Sequence, residues 1–169
     1  MLGVRPFMAI QQFVRFSVAD LDFGININQI FQIIKPQEVF KVPNTPPFIE
    51  GLINLRGKVL TIFNLRKRFH LPEKANDENT KVLIINMNGM LLGFTVDNVT
   101  EIVRINDEDI EDTPPTLKDF DHRFLQGVGK LGEKLILILD LEKVLTPDEK
   151  LQVQEIVDRH GNEVLGEAK

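Results

Sequence analysis

The chain has no cysteine, no tryptophan and no tyrosine among its 169 residues, and one serine, Ser17. Each absence removes a class of chemistry. Without cysteine there are no disulfides, no thiolate nucleophiles and no Cys-type zinc sites, a composition that suits a reducing compartment. Without Trp or Tyr, the twelve phenylalanines are the only aromatics, and they read as core filling rather than as a stacking platform. Ser17 falls inside a strand pattern and lacks the sharp turn that presents a serine nucleophile. Long apolar runs are missing as well. The purest, residues 135–139, is far short of the roughly 20 residues that span a bilayer as a helix, and residues 1–11 lack the charged-then-apolar pattern of a secretory signal. Neither a signal segment nor membrane insertion is expected.

Charge narrows the field further. The net charge of −5 opposes nucleic-acid binding, whose affinity rests largely on phosphate neutralisation. A nucleic-acid-binding small β-barrel is therefore the weaker alternative, carried only by a local basic stretch. Residues 56–74 hold six Lys/Arg against one Glu, whereas residues 97–121 hold nine Asp/Glu against two Lys/Arg. These stretches read as two solvated faces or as complementary patches that orient protein partners.

The patterns that suggest chemistry fail on context. Residues 127–132 read Gly-Val-Gly-Lys-Leu-Gly, but a strand pattern follows where a dinucleotide site needs a helix N-terminus. These glycines read as turn positions instead. Asp107, Asp109 and Glu111 have calcium-loop spacing, yet Asp112 stands where the loop needs glycine and Lys118 where it needs a bidentate Glu. His70, His122 and His160 are too widely spaced to pair as ligands and read as surface residues. Carboxylates cluster only in an acidic loop with no apolar pocket to raise a pKa. No catalytic residue, metal or cofactor is expected, so the chain does not read as an enzyme.

What is present is an internal repeat. Residues 48–65 recur without a gap at 124–141: Phe48 meets Phe124, Gly51 meets Gly127, Leu55 meets Leu131, Lys58 meets Lys134 and Leu65 meets Leu141. Residues 13–34 recur at 82–103, with Gly24 on Gly93, Ile30 on Val99 and Ile33 on Ile102. The unit is about 70 residues, with first half 12–69, a loop-like linker at 70–80 rich in Pro, Asn and charge, and second half 81–146. The length fits one domain or two small halves sharing a core.

Within each unit the apolar period is two. Leu21, Phe23, Ile25 and Ile27 alternate with Asp22, Gly24, Asn26 and Asn28, the mark of a strand with one buried face. Residues 81–87 and 90–96 flank Asn88-Gly89, a two-residue hairpin signal, and Ala19-Asp20 occupies the matching place. Residues 58–64 and 134–140 read as strands buried on both faces. The chain is therefore all-β, with about five short strands per unit, for which small closed barrels remove the exposed edges. The repeat does not say whether strands are exchanged between the two barrels. Helices are minor. Thr45-Pro46-Pro47 frames one helical turn. Thr146, Pro147 and Glu149 form a capping box that opens a helix over 147–160, with Gly161 as its terminator and a loose tail to 169.

The repeat differs at one turn. Asn54, Arg56 and Gly57 stand against Lys130, Gly132 and Glu133. A scaffold that recurs around a turn that does not suggests that the turn carries the function, and arginine suits an interface hot spot.

Residues 43–57, Pro-Asn-Thr-Pro-Pro-Phe-Ile-Glu-Gly-Leu-Ile-Asn-Leu-Arg-Gly, resemble the signature of the CheW family of chemotaxis coupling proteins. Residues 23–27, residues 92–99 with their Val-Asp-x-Val, and the late strand 134–141 resemble further family segments. The resemblance covers residues 12–146. It implies two SH3-like five-stranded β-barrels side by side and a non-enzymatic adaptor in the cytoplasm, at receptor arrays on the inner face of the membrane. The implied partners are the regulatory domain of a CheA-type histidine kinase, the cytoplasmic tip of methyl-accepting chemoreceptors, and other CheW-like domains. The receptor helix would dock in a mostly apolar groove between the barrels. The resemblance puts partner binding on Arg56 with Asn54, Leu55 and Gly57, and on Ile30 and Gln32. Departures fall at Gln32, Thr61 and Asn64, where relatives often carry Glu, Pro and Asp. Gln32 and Asn64 each remove a charge that could pair with a partner.

Overall fold

The computed structural model describes residues 9–112 and 124–166. The chain runs β1 (Ile10–Val18), β2 (Leu21–Asn26), β3 (Ile30–Ile34), β4 (Ile49–Leu55), β5 (Lys58–Asn64), α1 (Leu65–Arg68), β6 (Lys81–Met87), β7 (Met90–Val96), β8 (Asn98–Asn106), β9 (Ile110–Glu111), β10 (Leu125–Leu131), β11 (Lys134–Leu139) and α2 (Pro147–Gly166). The alternating segments form strands because period-two apolar residues present one continuous face to a core. The Asn88-Gly89 signal closes the β6–β7 hairpin, from Lys81↔Val96 to Met87↔Met90. Ala19 and Asp20 close the β1–β2 hairpin with positive φ at both positions.

The strands form two sheets, ordered β8-β1-β2-β11-β10-β9 and β3-β6-β7-β5-β4. The sheets do not divide along the halves of the sequence. Each half gives its first hairpin to the sheet built from the rest of the other half. β1 and β2 join β8 to β11, and β6 and β7 join β3 to β5. The joints are the parallel pairs β2–β11, at Phe23↔Leu137, and β5–β7, at Thr61↔Leu92. In the first sheet the end strands β8 and β9 are consecutive in the chain, linked by a 3-10 turn at Asp107–Asp109, so chain continuity draws the edges together. In the second, Phe40 bridges to Leu52 of β4, the counterpart of Glu111↔Val128 between β9 and β10.

Each sheet has an apolar cluster of its own. One holds Phe13, Val103, Ile105, Ile136 and Ile138; the other holds Ile53, Leu60, Ile62, Val82 and Ile84. A larger cluster joins the sheets and contains Phe16, Phe23, Phe63 and Phe94, with the Phe63 and Phe94 ring centroids 5.2 Å apart. Each fully buried phenylalanine stabilises by on the order of 2 kcal/mol. Gly51 and Gly127 mark where a crossing segment touches each sheet. A Cβ on Gly51, at φ +145, would lie 2.2 Å from the Phe40 carbonyl oxygen, and one on Gly127 would lie 2.5 Å from that of Glu111. Gly127 and Gly129 are therefore strand positions that exclude a side chain, and only Gly132 of the 127–132 run sits in a turn.

The helices depart from expectation in three places. Residues 46–49 make a hydrogen-bonded turn, with the Ile49 N–H donating to Pro46 O at 3.0 Å, and not a helical turn. α1 arises where none is expected: the Asn64 side chain caps it by accepting from the Lys67 N–H, as Asp140 caps the 3-10 turn Leu141–Lys143 in the second half. α2 opens on the expected capping box, Thr146 N–H to Glu149 Oε1 at 2.8 Å and Glu149 N–H to Thr146 Oγ1 at 3.1 Å, but runs through Gly161. That glycine is buried against Val59, where a Cβ would meet methyls at 3.7 Å. It is a packing position and not a stop signal.

A guanidinium fastens α2 to both halves. Arg68 forks onto Glu149 at 2.9 and 2.8 Å and donates to Val144 O. It also lies over the rings of Phe48, at 4.6 Å, and Phe124, at 5.1 Å, which are equivalent residues of the repeat. No helix among the described residues is long and apolar enough to cross a membrane.

Candidate functional site

The β4–β5 turn is built from within. β4 and β5 pair down to Leu55↔Lys58, leaving Arg56 and Gly57 as the two loop residues, at φ +53 and +84. The Asn54 side chain locks the loop by accepting from the Gly57 N–H at 2.8 Å. The β6–β7 turn is built in the same way: Asn86 accepts from the Gly89 N–H at 2.8 Å, around Asn88 at φ +53. Asparagine is at ease in that left-handed conformation. Arginine is not, at a cost of roughly 1–2 kcal/mol. The Arg56 side chain is exposed and meets no hydrogen-bond or ion-pair partner among the described residues. A solvent-facing arginine at positive φ in a locked turn conflicts with local backbone preference.

Strand register sets what lies beside it. β5 and β7 run parallel from adjacent turns, and β3 begins opposite the end of β6, at Ile30↔Ile85. The Asn54–Gly57 turn, the Asn86–Gly89 turn and the start of β3 therefore share one end of the second sheet. Lys58 confirms the proximity, with its Nζ 5.3 Å from the centroid of the Phe31 ring. Ile30 and Gln32 are half-buried, and Ile30 packs against the shared core. Alternation turns their neighbours outward. Phe31 is 49% exposed, and Ile33 also faces solvent. The repeat places Ile102, 62% exposed, in the position equivalent to Ile33. Phe31, Ile33 and Lys58 are the surface residues that reading the sequence missed. The signal available for them was the i, i+2 pattern on β3, which marks Phe31 and Ile33 as sharing one face.

Asn64 has an internal role. Its amide donates to Glu50 Oε1 at 2.9 Å while its carbonyl caps α1. A carboxylate here would meet Glu50 with like charge, so the amide fits this local environment. At the opposite end of β7, Asp97 ties three segments together. It accepts from the Ala19 N–H of the β1–β2 turn at 2.8 Å and from Arg66 Nε of α1 at 3.0 Å, and its own N–H donates to Ser17 O. Burial works to raise the Asp97 pKa, but the Arg66 guanidinium and the Ala19 N–H outweigh it and hold the carboxyl below its usual value. The repeat-equivalent residues are Asn28 and Glu142, so the ion pair exists at one corner alone.

Elsewhere, Asp107 accepts from Gln11 at 2.6 Å and Glu111 pairs with Lys130 at 3.1 Å. His160 is half-buried beside Phe40 and not on the open surface, and His70 is exposed. His122, Lys118 and the acidic loop from residue 113 to 121 lie outside the described residues.

A family model described as the CheW-like domain matches residues 12–149. The chain belongs to the CheW-like domain family. It is 35% identical over 139 residues to the chemotaxis protein CheW of Helicobacter pylori, covering 82% of this chain and 84% of that one. It is 32% identical over 150 residues to the CheW of Klebsiella aerogenes, covering 89% and 90%. Among solved structures, the scaffolding protein TtCheW from Thermoanaerobacter tengcongensis superposes with a TM-score of 0.73 at 33% identity, over 78% of this chain and 90% of that one. In this CheW-like domain the Asn-Leu-Arg-Gly turn is a self-locked hairpin with an outward arginine, bordered by an apolar edge on β3.

Proposed function

We propose that this CheW-like domain is a non-enzymatic adaptor of bacterial chemotaxis signalling. It binds the cytoplasmic tip of methyl-accepting chemoreceptors and the regulatory domain of a CheA-type histidine kinase, and so links receptor state to kinase activity in cytoplasmic arrays. The observation that carries this reading is Arg56: an arginine held at positive φ, exposed and unpaired among the described residues, in a turn whose repeat-equivalent has none. Asn54 and Gly57 hold the turn, Leu55 supports it, and Arg56 supplies a flat fork of donors to a partner. Ile30 and Gln32 set β3 so that Phe31 and Ile33 extend the contact with apolar area. The relatives' names, chemotaxis protein CheW and scaffolding protein, supply the biological setting.

The test is a pull-down of the full chain with two baits, a kinase regulatory domain and a receptor-tip coiled coil. Both are expected to bind. Arg56→Glu is expected to weaken at least one by tenfold or more, about 1.4 kcal/mol, with an unchanged thermal melt. Binding of neither bait, or a variant that unfolds, would defeat this reading.

A further inference from the structure

The pair that closes the β6–β7 hairpin also carries a reaction. An asparagine side-chain amide is chemically labile. Its Cγ lies within reach of the next residue's backbone nitrogen, and attack by that nitrogen closes a five-membered imide. A side chain on the following residue shields the nitrogen, and glycine leaves it open. Asn88 is the one asparagine of the chain that precedes a glycine. Elsewhere the shield is present: Asn54 precedes Leu55, Asn44 precedes Thr45 and Asn98 precedes Val99. At Gly89 no atom lies within 4 Å of the place a Cβ would take, and both Asn88 and Gly89 are exposed.

The same turn restrains what it presents. Attack requires the Gly89 nitrogen to give up its proton. That N–H donates to Asn86 Oδ1 at 2.8 Å, and a hydrogen-bonded amide proton is withheld from base, as in hydrogen exchange. The Met87↔Met90 pair closes the loop behind it, with Asn88 at φ +53 and Gly89 at +89. The β4–β5 turn has the same lock, from Asn54 to the Gly57 N–H. There the locked glycine follows Arg56, which has no amide to attack.

We infer that Asn88 is a site of intramolecular deamidation and that Asn86 sets its rate. The Gly89 nitrogen bonds to Asn88 Cγ, the Cγ–Nδ2 bond breaks, and ammonia leaves with the proton from Gly89. Water then opens the imide. Opening at Cγ gives aspartate; opening at the main-chain carbonyl gives isoaspartate, which adds a methylene to a two-residue loop. Either product takes the net charge of −5 one step further negative. The place matters. Asn88 lines a cleft with Phe31, Lys58, Met90 and Val157, and that lining holds no carboxylate among the described residues. The reaction puts one there, on the end of the sheet that carries Arg56. This site goes beyond the adaptor reading, and its chemistry stands or falls without it.

The test incubates the full chain in mildly alkaline buffer. A more acidic species is expected to accumulate on anion exchange, with ammonia released in equal amount. Fragment masses are expected to place the change of amide to acid at Asn88 and not at Asn54. Asn86→Ala is expected to speed it about fivefold, the factor that one ordinary hydrogen bond is worth. Asn88→Gly, which tolerates positive φ, is expected to keep the thermal melt and abolish the acidic species. No acidic species from either the native sequence or Asn86→Ala, a change at Asn54 as fast as at Asn88, a rate untouched by Asn86→Ala, or an acidic species that persists in Asn88→Gly would each overturn the inference.

Discussion

Two turns of this protein occupy the same place in the repeat and are built differently. Residues 55–58 and 131–134 each close a two-residue hairpin between equivalent strands, at Leu55↔Lys58 and Leu131↔Lys134. The second puts glycine at the position of positive φ, Gly132 at +65, and ties its preceding residue, Lys130, to Glu111 across the sheet. The first puts an arginine there and locks it with Asn54. The strands show what the hairpin needs in order to fold, and the second turn shows that an arginine is not among those needs. The difference isolates Arg56 as a residue that stability alone does not explain.

The sharpest way to break the comparison is through its shared scaffold. Gly51→Ala drives a Cβ toward the Phe40 carbonyl at 2.2 Å and is expected to cost about 3 kcal/mol or more in urea unfolding. Gly132→Ala, with no atom within 4 Å, costs about 1 kcal/mol for its left-handed φ alone. Equal costs would mean that the crossing segment does not constrain the sheet. The next contrast is between corners. Asp97→Asn is expected to cost about 2 kcal/mol at neutral pH, whereas Asn28→Ala at the equivalent corner costs under about 0.5 kcal/mol. The Asp97 pKa is depressed in the folded state. Its stabilisation is therefore present above the unfolded value of about 3.9 and is lost as pH falls through the folded value. The gap between wild type and Asp97→Asn should hold from pH 5 to 8 and close below about pH 4 in thermal melts.

Smaller effects bear on the turns themselves. Asn54→Ala removes the lock on the Gly57 N–H and is expected to cost about 1 kcal/mol, against under about 0.5 kcal/mol for Lys130→Ala, which breaks an exposed ion pair. Arg56→Asn places a residue that tolerates positive φ in the turn. It is expected to stabilise the fold by about 0.5–1 kcal/mol while lowering bait retention at least tenfold. A variant that gains stability and keeps full binding would remove Arg56 from the interface.

Much of this architecture was legible in the residues. The Asn88-Gly89 hairpin, the strand at 58–64 and the Thr146–Glu149 capping box rest on interactions within a few positions, and they formed as read. Strand exchange was not legible, because alternation shows which face is buried but not which strand pairs with it; the β2–β11 and β5–β7 joints are long-range. Gly161 looked like a helix terminator because glycine often ends helices, but the proximity of Val59 gives it another role. α1 was missed because its cap, Asn64, had been read only as a departure from the family pattern. At the site, Asn54 through Gly57 stood out through the repeat. Ile30 and Gln32 stood out through family resemblance, while the pleat decides that their neighbours Phe31 and Ile33 face outward.

The exchange of hairpins has a mechanical consequence. If each half closed its own sheet, the linker at residues 70–80 would join two bodies free to pivot, and a push on one would dissipate in the joint. Here β2 is held beside β11 and β7 beside β5, so displacing either sheet drags strands that belong, by chain, to the other half. A load received on one side of the molecule arrives at the far side with little slack.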